Sequence, residues 1–523
     1  VTAVRFARFS VDPLASLPGL CSYQPLTIHA INPDGTVQVL SLDLGTSSTR
    51  AAFYDRVGGE VCGSSGSVAR AFTVTAEGAA ELDAEQFCAD ADAVVARSLA
   101  TVGELRIAAV ALATFWHALL GIDARGNPVT PIYGWADTRA SREAEMLRER
   151  LNESETHRRT GCRFHAGYWP AKLMWLRANR PEQFARVAKW ISPGDYLLSR
   201  WCGVMKTSVS LASATGLVDQ YRCDWDEPML AAVGIERSHL PELAGDAETF
   251  SLLPESRDAW PHLADARILP AIGDGAANNL GVGCFTRDKA ALMIGTSGAM
   301  RILERGVPPA ALPSGLWQYR LDRERVVVGG ALSDGGGLFQ WMKESLAIDL
   351  DHAALEAALG ALEPDGHGLT VLPFWAGERS TGWNGRARGG VFGLAGQTDP
   401  IDILRAGMEG VAYRFAAIAE QLTAALPFET IYASGGALRE SRVWAQILAD
   451  VLGRPLLVTD VPEASGRGAA LFALEALRAL ADPDVLAPPV IAIIVPNADN
   501  REVYERARDR QQALRDTLFG KES

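Results

Sequence analysis

The sequence predicts an α/β protein built as two large domains, and three observations carry that expectation. The chain has 523 residues, too many for one ordinary hydrophobic core. Apolar, strand-like runs alternate with helix-period stretches, the pattern of helices covering mostly parallel sheets. Two stretches are near copies, SLDLGTSSTRA (41–51) and ALMIGTSGAMR (291–301). One scheme is therefore used twice, with a boundary between the copies near 284–290.

Each copy is an apolar run broken by Gly-Thr-Ser, which predicts a strand, a tight turn and a return strand. Glycine lets backbone amides approach a ligand closely and the hydroxyls add donors, so each turn suits a phosphate. The copies differ at one informative place: the first carries Asp43, the second Met293. An acid beside a phosphate is useful mainly when Mg²⁺ bridges the two. Two related domains clasping one nucleotide is the arrangement these copies predict.

Composition narrows the partners. An apolar fraction of 48% and a charged fraction of 22% are those of a globular chain in water. The net charge of −13 argues against nucleic acid or an anionic membrane, while leaving a small anionic substrate open. The seven cysteines are scattered without a CxxC pair, and HExxH is absent. Neither a zinc site nor a disulfide framework is expected, and buried free thiols in a reducing cytoplasm are. No apolar run approaches the roughly 20 residues of a membrane span.

Residues 1–37 stand apart as an N-terminal extension of unknown role. They contain Pro13, Pro18, Pro25 and Pro33 and lack the basic start, long apolar run and cleavage site of a signal peptide. TIHAINPDGTVQVL (27–40) suits a hairpin around Asp34-Gly35; a loose extension, or sequence upstream of the true start, is the alternative.

After the first phosphate hairpin, a helix-period stretch (83–101) leads to a buried strand, IAAVALATFW (107–116). GIDARGNPVTPIYGW (121–135) predicts a hairpin turning at Gly126-Asn127, and SREAEMLRERL (141–151) a helix with one charged face. Residues 168–250 mix short helices, loops and tryptophans, as an insertion supplying a binding wall would. ARILPAIGDGAANNLGVG (266–283) predicts a strand entering a glycine-rich turn. The second half repeats the scheme with strands at 326–332, 430–436 and 455–459. Its helices start at Gly336 and at 402, 441 and 468, and a charged surface helix follows Arg501.

Three clusters suit chemistry. Asp274 follows the apolar run ILPAI between Gly273 and Gly275, at a strand's C-terminal end, where α/β sheets bind ligands. There it is placed to take a proton from an attacking hydroxyl, although a helix-capping aspartate would look the same. Trp116, His117, Trp135, Asp137 and Arg139 offer flat apolar faces and hydrogen bonds, suitable walls for a polyhydroxylated ligand; plain packing and a surface ion pair are the bland alternatives. ASGGALRES (433–441) and LSDGGGLFQW (332–341) place glycines at strand-to-helix turns. There an adenine ring can lie on bare backbone and a helix N-terminus favours an anion. Walker A and GxGxxG are absent, against P-loop and Rossmann sites.

These pieces, in this order, resemble the FGGY carbohydrate kinases of the actin-like ATPase superfamily, from about Gln38 to about Arg515. The resemblance implies two actin-like (ribonuclease H-like) ATPase domains with an interdomain nucleotide cleft: a sugar-binding domain over 38–285 and a nucleotide-binding domain over 286–518. LDLGTSSTRAAFYD looks like the family's first phosphate motif, which makes Asp43 the Mg²⁺-associated acid and assigns Gly45, Thr46, Ser47, Ser48 and Arg50 to the phosphates. IGTSGAM implies Thr296. SGGALRES implies Gly435, Gly436 and Ala437 for adenosine, and Gly336 with Gln340 fits the helix lining the nucleotide. Asp274 falls on the catalytic base.

Within the family, WHALLGID (116–123), YGWADTRAS (133–141), RTGCRFHAGYWPAKLMWL (159–176) and SLASATGLVD (210–219) are most similar to gluconokinases. A gluconate carboxylate needs a cation, and Arg139, Arg163, His165 and Lys172 are the candidates. The expectation is a cytoplasmic, ATP- and Mg²⁺-dependent kinase that phosphorylates a terminal hydroxyl of a sugar or sugar acid, with gluconate first. It has no nucleic-acid or membrane partner, and there is room for a homodimer. The alternatives are a kinase for another polyol or ketose (xylulose, ribulose, glycerol) and a non-catalytic ATP-gated clasp; the latter needs no base beside a sugar pocket.

Overall fold

The computed structural model describes residues 38–61, 65–101, 107–480, 486, 488 and 490–521. The hairpin expected around Asp34-Gly35, and Cys21 and Cys62, lie outside them.

The duplication read in the sequence is a duplication of sheet topology. In the first sheet, Gln38–Leu44 and Ser48–Tyr54 form an antiparallel hairpin with Asp43 opposite Arg50. Gly66–Ala69 adds antiparallel beside Ser48–Tyr54, and Ile107–Thr114 runs parallel to Gln38–Leu44. Arg267–Ile268 and Ile272–Gly273 then run parallel to Ile107–Thr114. The second sheet repeats the order and the senses. Lys289–Ile294 pairs antiparallel with Gly298–Arg305, which pairs antiparallel with Arg325–Leu332. On the other side Thr430–Ser434 and then Leu456–Thr459 run parallel. The central strands are buried along nearly their whole length, as both-face coverage of a parallel sheet requires.

Among the described residues, three flanking strands had no clear alternation to announce them: Gly66–Ala69, Trp317–Arg320 and Val490–Ile494. The last two extend the second sheet at its two edges. The glycine-rich turn expected after Gly273 is instead the first turn of a helix, Asp274–Gly281.

Two helices tie the halves together. Asp274–Gly281 leaves the first sheet and Ala464–Ala476 leaves the second, and they cross in backbone contact. A methyl group on Gly281 would sit 1.8 Å from the Ala464 carbonyl oxygen, and one on Gly468 would sit 1.7 Å from that of Ala277. Only glycine fits at either place. Beyond the crossing, Ala469, Ala470, Leu471, Ala473 and Leu474 belong to the core of the first sheet, as do Trp317 and Tyr319. The second sheet has its own core, built on Leu292, Ile302, Val328, Phe415 and Ile431.

The segment between Leu119 and Leu240 packs its short helices around a third apolar cluster. Helix Ser141–Arg150 buries Glu143, Ala144 and Leu147. The turn at Gly126-Asn127 forms as expected, with Gly126 at φ 85° and the Asp123 N–H donating to the Asn127 carbonyl at 2.9 Å.

Candidate active site

Asp274 is the first residue of its helix, with Gly273 as the N-cap and no side-chain cap; the capping alternative is therefore not how its carboxylate is used. Oδ1 accepts from the Gly275 N–H at 2.7 Å, and the Trp116 N–H donates to the same carboxyl group. The Trp116 indole packs so closely against both flanking glycines that a Cβ on Gly273 would lie 1.8 Å from Nε1 and one on Gly275 2.4 Å from the ring. Ser210 holds this corner: its carbonyl accepts from Trp116 Nε1 at 3.1 Å and its Oγ from the Gly273 N–H at 3.0 Å. Burial raises the pKa of Asp274, while the guanidiniums of Arg301 and Arg379 work the other way.

Asp43 lies near the end of strand Gln38–Leu44, on the other side of Ile107–Thr114 from the strand that leads into Asp274, and its pKa is raised to about 7 by burial and by the like charges of Asp274 and Glu463, with Arg50 opposing. An acid held among acids in this way suits a divalent cation. Mg²⁺ needs only one or two protein carboxylates beside phosphate and water oxygens, so the donor set fits. Arg50, expected on a phosphate, pairs here with Glu463 at 2.9 Å. Both line a cavity of about 360 Å³ together with Ser41, Asp43, Glu60 and Gly466.

Each Gly-Thr-Ser turn is closed by its glycine: the Gly45 N–H donates to the Ser48 carbonyl at 2.9 Å, three residues on, and the Gly295 N–H to the Ser297 carbonyl at 3.0 Å, two residues on. Thr46 and Ser48 are half-buried and Ser47 is exposed. On the second turn, Gly335 and Gly337 donate to the Thr296 carbonyl and Gly336 to that of Gly295, at 2.8 to 3.1 Å. Those N–H groups of helix Gly336–Ser345 are engaged by the turn, so its N-terminus docks the turn rather than standing open to an anion. Gly435 has φ 96°, and a Cβ there would lie 2.2 Å from the Ile294 carbonyl oxygen; one on Gly336 would lie 3.7 Å from Ala437. The turn, Gly336 and Gly435-Gly436-Ala437 thus converge on bare backbone. Gln340, one turn on, is exposed and bonded to Glu344 at 2.6 Å.

The wall residues divide into two groups. Trp116 lies against the glycines flanking Asp274, His117 meets Tyr168 and Tyr319, and Trp135 lies under the Arg379 guanidinium. His117 has φ 68°, a costly conformation for a residue with a Cβ, and its Nδ1 lies 2.7 Å from the Ala214 carbonyl. Burial first, then Arg379, drives its pKa well below the imidazole range, so it is neutral. The second group is turned to structural partners. Asp137 and Arg139 hold each other, Arg139 also pairs with Glu81 at 2.6 Å, and its guanidinium stacks 4.5 Å from the Trp175 ring centroid. Lys172 donates to the carbonyls of His117 and Gly167 at 2.9 and 2.8 Å, and burial pulls its pKa down to about 7. Arg163 pairs with Glu153 at 3.1 Å. His165 accepts from the Gly167 N–H at 3.1 Å, and burial with nearby cations lowers its pKa to about 3.

Several residues around Asp274 and Trp116 come from the second half and were not anticipated. Trp317 and Tyr319 stack at 4.2 Å and meet Trp116 edge-on; Tyr319 and Tyr168 share a 2.5 Å hydroxyl contact. Arg301, buried in strand Gly298–Arg305, lies against Asn278 at 3.3 Å and feels Asp274. Its signal was a lone charge in the apolar run AMRIL. Arg379, in a polar loop, had none.

Residues 38–281 match the FGGY family of carbohydrate kinases, N-terminal domain, and residues 290–477 its C-terminal domain. A gluconokinase from Bacillus subtilis (strain 168) is 30% identical over 455 residues, 84% of this chain and 88% of the relative. A xylulose kinase from Escherichia coli (strain K12) is 28% identical, covering 92% of this chain and 99% of the relative. Among solved structures, a gluconate kinase from Lactobacillus acidophilus superposes with TM-score 0.83 at 25% identity over 92% of this chain and 98% of that one. No helix among the described residues is long and apolar enough to cross a membrane. With both domain models matched over most of its length, the chain belongs to the FGGY family of carbohydrate kinases.

Proposed function

We propose that the protein is a gluconokinase, moving the terminal phosphoryl group of ATP to the 6-hydroxyl of gluconate in the cytoplasm. One observation carries the reaction: a carboxylate, Asp274, fixed by two main-chain N–H groups at the pocket end of the first sheet, beside an aromatic wall from both halves. The similarity to gluconokinases supports the substrate.

In this reading Asp274 accepts the proton of the attacking hydroxyl and aligns its oxygen. Its raised pKa makes it a better base than an exposed aspartate. Trp116, His117 and Trp135 orient the hydroxylated chain. The two turns at Gly45–Ser47 and Gly295–Ser297 direct main-chain and hydroxyl donors at the phosphates, and Gly435, Gly436 and Ala437 offer flat backbone to the adenine. Asp43 would hold Mg²⁺, which neutralises phosphate charge when bound. The sugar domain is 38–285 and the nucleotide domain 286–518, and closing them about the 284–290 connection excludes water.

The test is ADP release with Mg·ATP over gluconate, xylulose, ribulose and glycerol, with Asp274→Asn beside the wild type. Gluconate-dependent turnover is expected, reduced at least ~10²-fold in kcat in the variant while gluconate still binds. Turnover on a neutral polyol alone would remove gluconate and keep the kinase. Near-normal turnover of the variant would remove the base.

A further inference from the structure

A sugar acid brings a carboxylate that loses its water on entering a closed pocket, so a cation with unused donors must meet it. The cations expected from the sequence are committed elsewhere: Arg139 to two carboxylates, Arg163 to Glu153, Lys172 to two carbonyls. His165 carries no charge near neutral pH.

Arg379 differs. It enters from the loop that follows strand Thr370–Leu372 of the second half and lies over the indole of Trp135, 5.5 Å from the ring centroid. Its Nη2 is 3.5 Å from His117 Nε2. Because His117 Nδ1 faces a carbonyl, it is the protonated nitrogen, and Nε2 presents a lone pair to the guanidinium. A neutral imidazole and an indole thus orient the cation without cancelling its charge. Among the described residues no carboxylate pairs with Arg379, and most of its five N–H donors are unengaged. Its field nevertheless reaches Asp274, His165 and Tyr319, the residues around the pocket.

We infer that Arg379 is the residue that selects a sugar acid over a neutral sugar, taking the substrate carboxylate in a paired hydrogen bond while His117 and Trp135 hold the guanidinium plane. The inference rests on the gluconokinase reading and adds the residue that reads the acid. Since Trp116, His117 and Trp135 belong to the first half and Arg379 to the second, the charged end of the substrate engages both.

The experiment is calorimetric binding of gluconate and of D-glucitol, the same carbon chain with an alcohol in place of the acid. It uses wild type, Arg379→Gln and Arg379→Lys, with Mg·ATP binding as the check on folding. Wild type should prefer gluconate, and in Arg379→Gln the gluconate-to-glucitol affinity ratio should fall at least ~30-fold, as losing one partner of a desolvated charge pair does. Arg379→Lys, with charge but no planar fork, should lose roughly 5- to 10-fold; it decides the matter alone if the glutamine variant does not fold. A preference that survives both substitutions overturns the role of Arg379 and leaves the gluconokinase reading intact. Equal losses on both ligands, or a loss confined to Mg·ATP, also overturn it. A wild type that prefers glucitol, or turns over only neutral sugars, removes the gluconate reading and the inference together.

Discussion

Trp116 and Asp274 fix each other: the indole occupies the space beside both glycines that flank the carboxylate, and the Trp116 main-chain N–H donates to it. Gly273→Ala should therefore be a functional lesion as well as a destabilising one. A Cβ placed 1.8 Å from Trp116 Nε1 must push the ring or the base aside, and a shift of about 1 Å at a reacting group costs up to ~10²-fold. Steady-state kinetics on the folded variant should show kcat reduced; wild-type kcat would mean the corner relaxes harmlessly.

The pH dependence has a definite sign. Asp274 must be ionised to act, and burial raises its pKa, so kcat at saturating substrates should fall on acidification along a limb above the usual carboxylate range. His117 and His165 are held neutral and contribute no limb of their own near neutrality. The residual rate of Asp274→Asn should be flat across that limb. A limb that persists in the variant belongs to another group.

Asp43 links the same chemistry to stability. Its folded pKa of about 7 exceeds the ordinary aspartate value of 3.8, so the folded state binds this proton more tightly than the unfolded chain. The corresponding stability is full below about pH 4 and lost as pH rises through about 7. Without nucleotide, Asp43→Asn should melt higher than wild type at pH 8, on the order of 1–3 °C, and the gap should shrink towards pH 5. The variant should also lose Mg²⁺-dependent turnover. Differential scanning calorimetry at the two pH values checks the first claim, and a Mg²⁺ titration of the rate checks the second.

Gly468→Ala tests the helix crossing. The added carbon would lie 1.7 Å from the Ala277 carbonyl oxygen and 2.8 Å from the Gly281 nitrogen, both backbone atoms that cannot swing away. Overpacking of this kind costs roughly 1–3 kcal/mol or more. Chemical denaturation should register it as a lower midpoint. An unchanged midpoint would mean the helices separate freely.

The parts of the molecule that were legible in the sequence are those governed by local rules. Both Gly-Thr-Ser hairpins, the central strands and Asp274 follow from apolar runs punctuated by glycine. Trp317–Arg320 was not legible, because it is buried as an edge strand by long-range contacts: the Gln318 N–H donates to the Gly161 carbonyl at 3.0 Å. The site divides the same way. The glycine turns formed where apolar runs meet glycine, whereas Arg50, Arg139 and Lys172 are matched to Glu463, Glu81 and the His117 carbonyl, partners far along the chain that spacing cannot reveal. Arg379 became visible only when the loop that carries it was seen to fold over Trp135.

The helix Ala464–Ala476 has a consequence for how the chain comes to be folded. The ribosome finishes the strands of the first sheet long before residue 469, yet Ala469, Ala470, Leu471, Ala473 and Leu474 complete that sheet's core. Until they emerge, the nascent first half carries an uncovered apolar face, the condition under which partly made chains aggregate or engage chaperones. Severing the chain between the two copies would therefore yield an amino-terminal fragment that lacks one wall of its own interior.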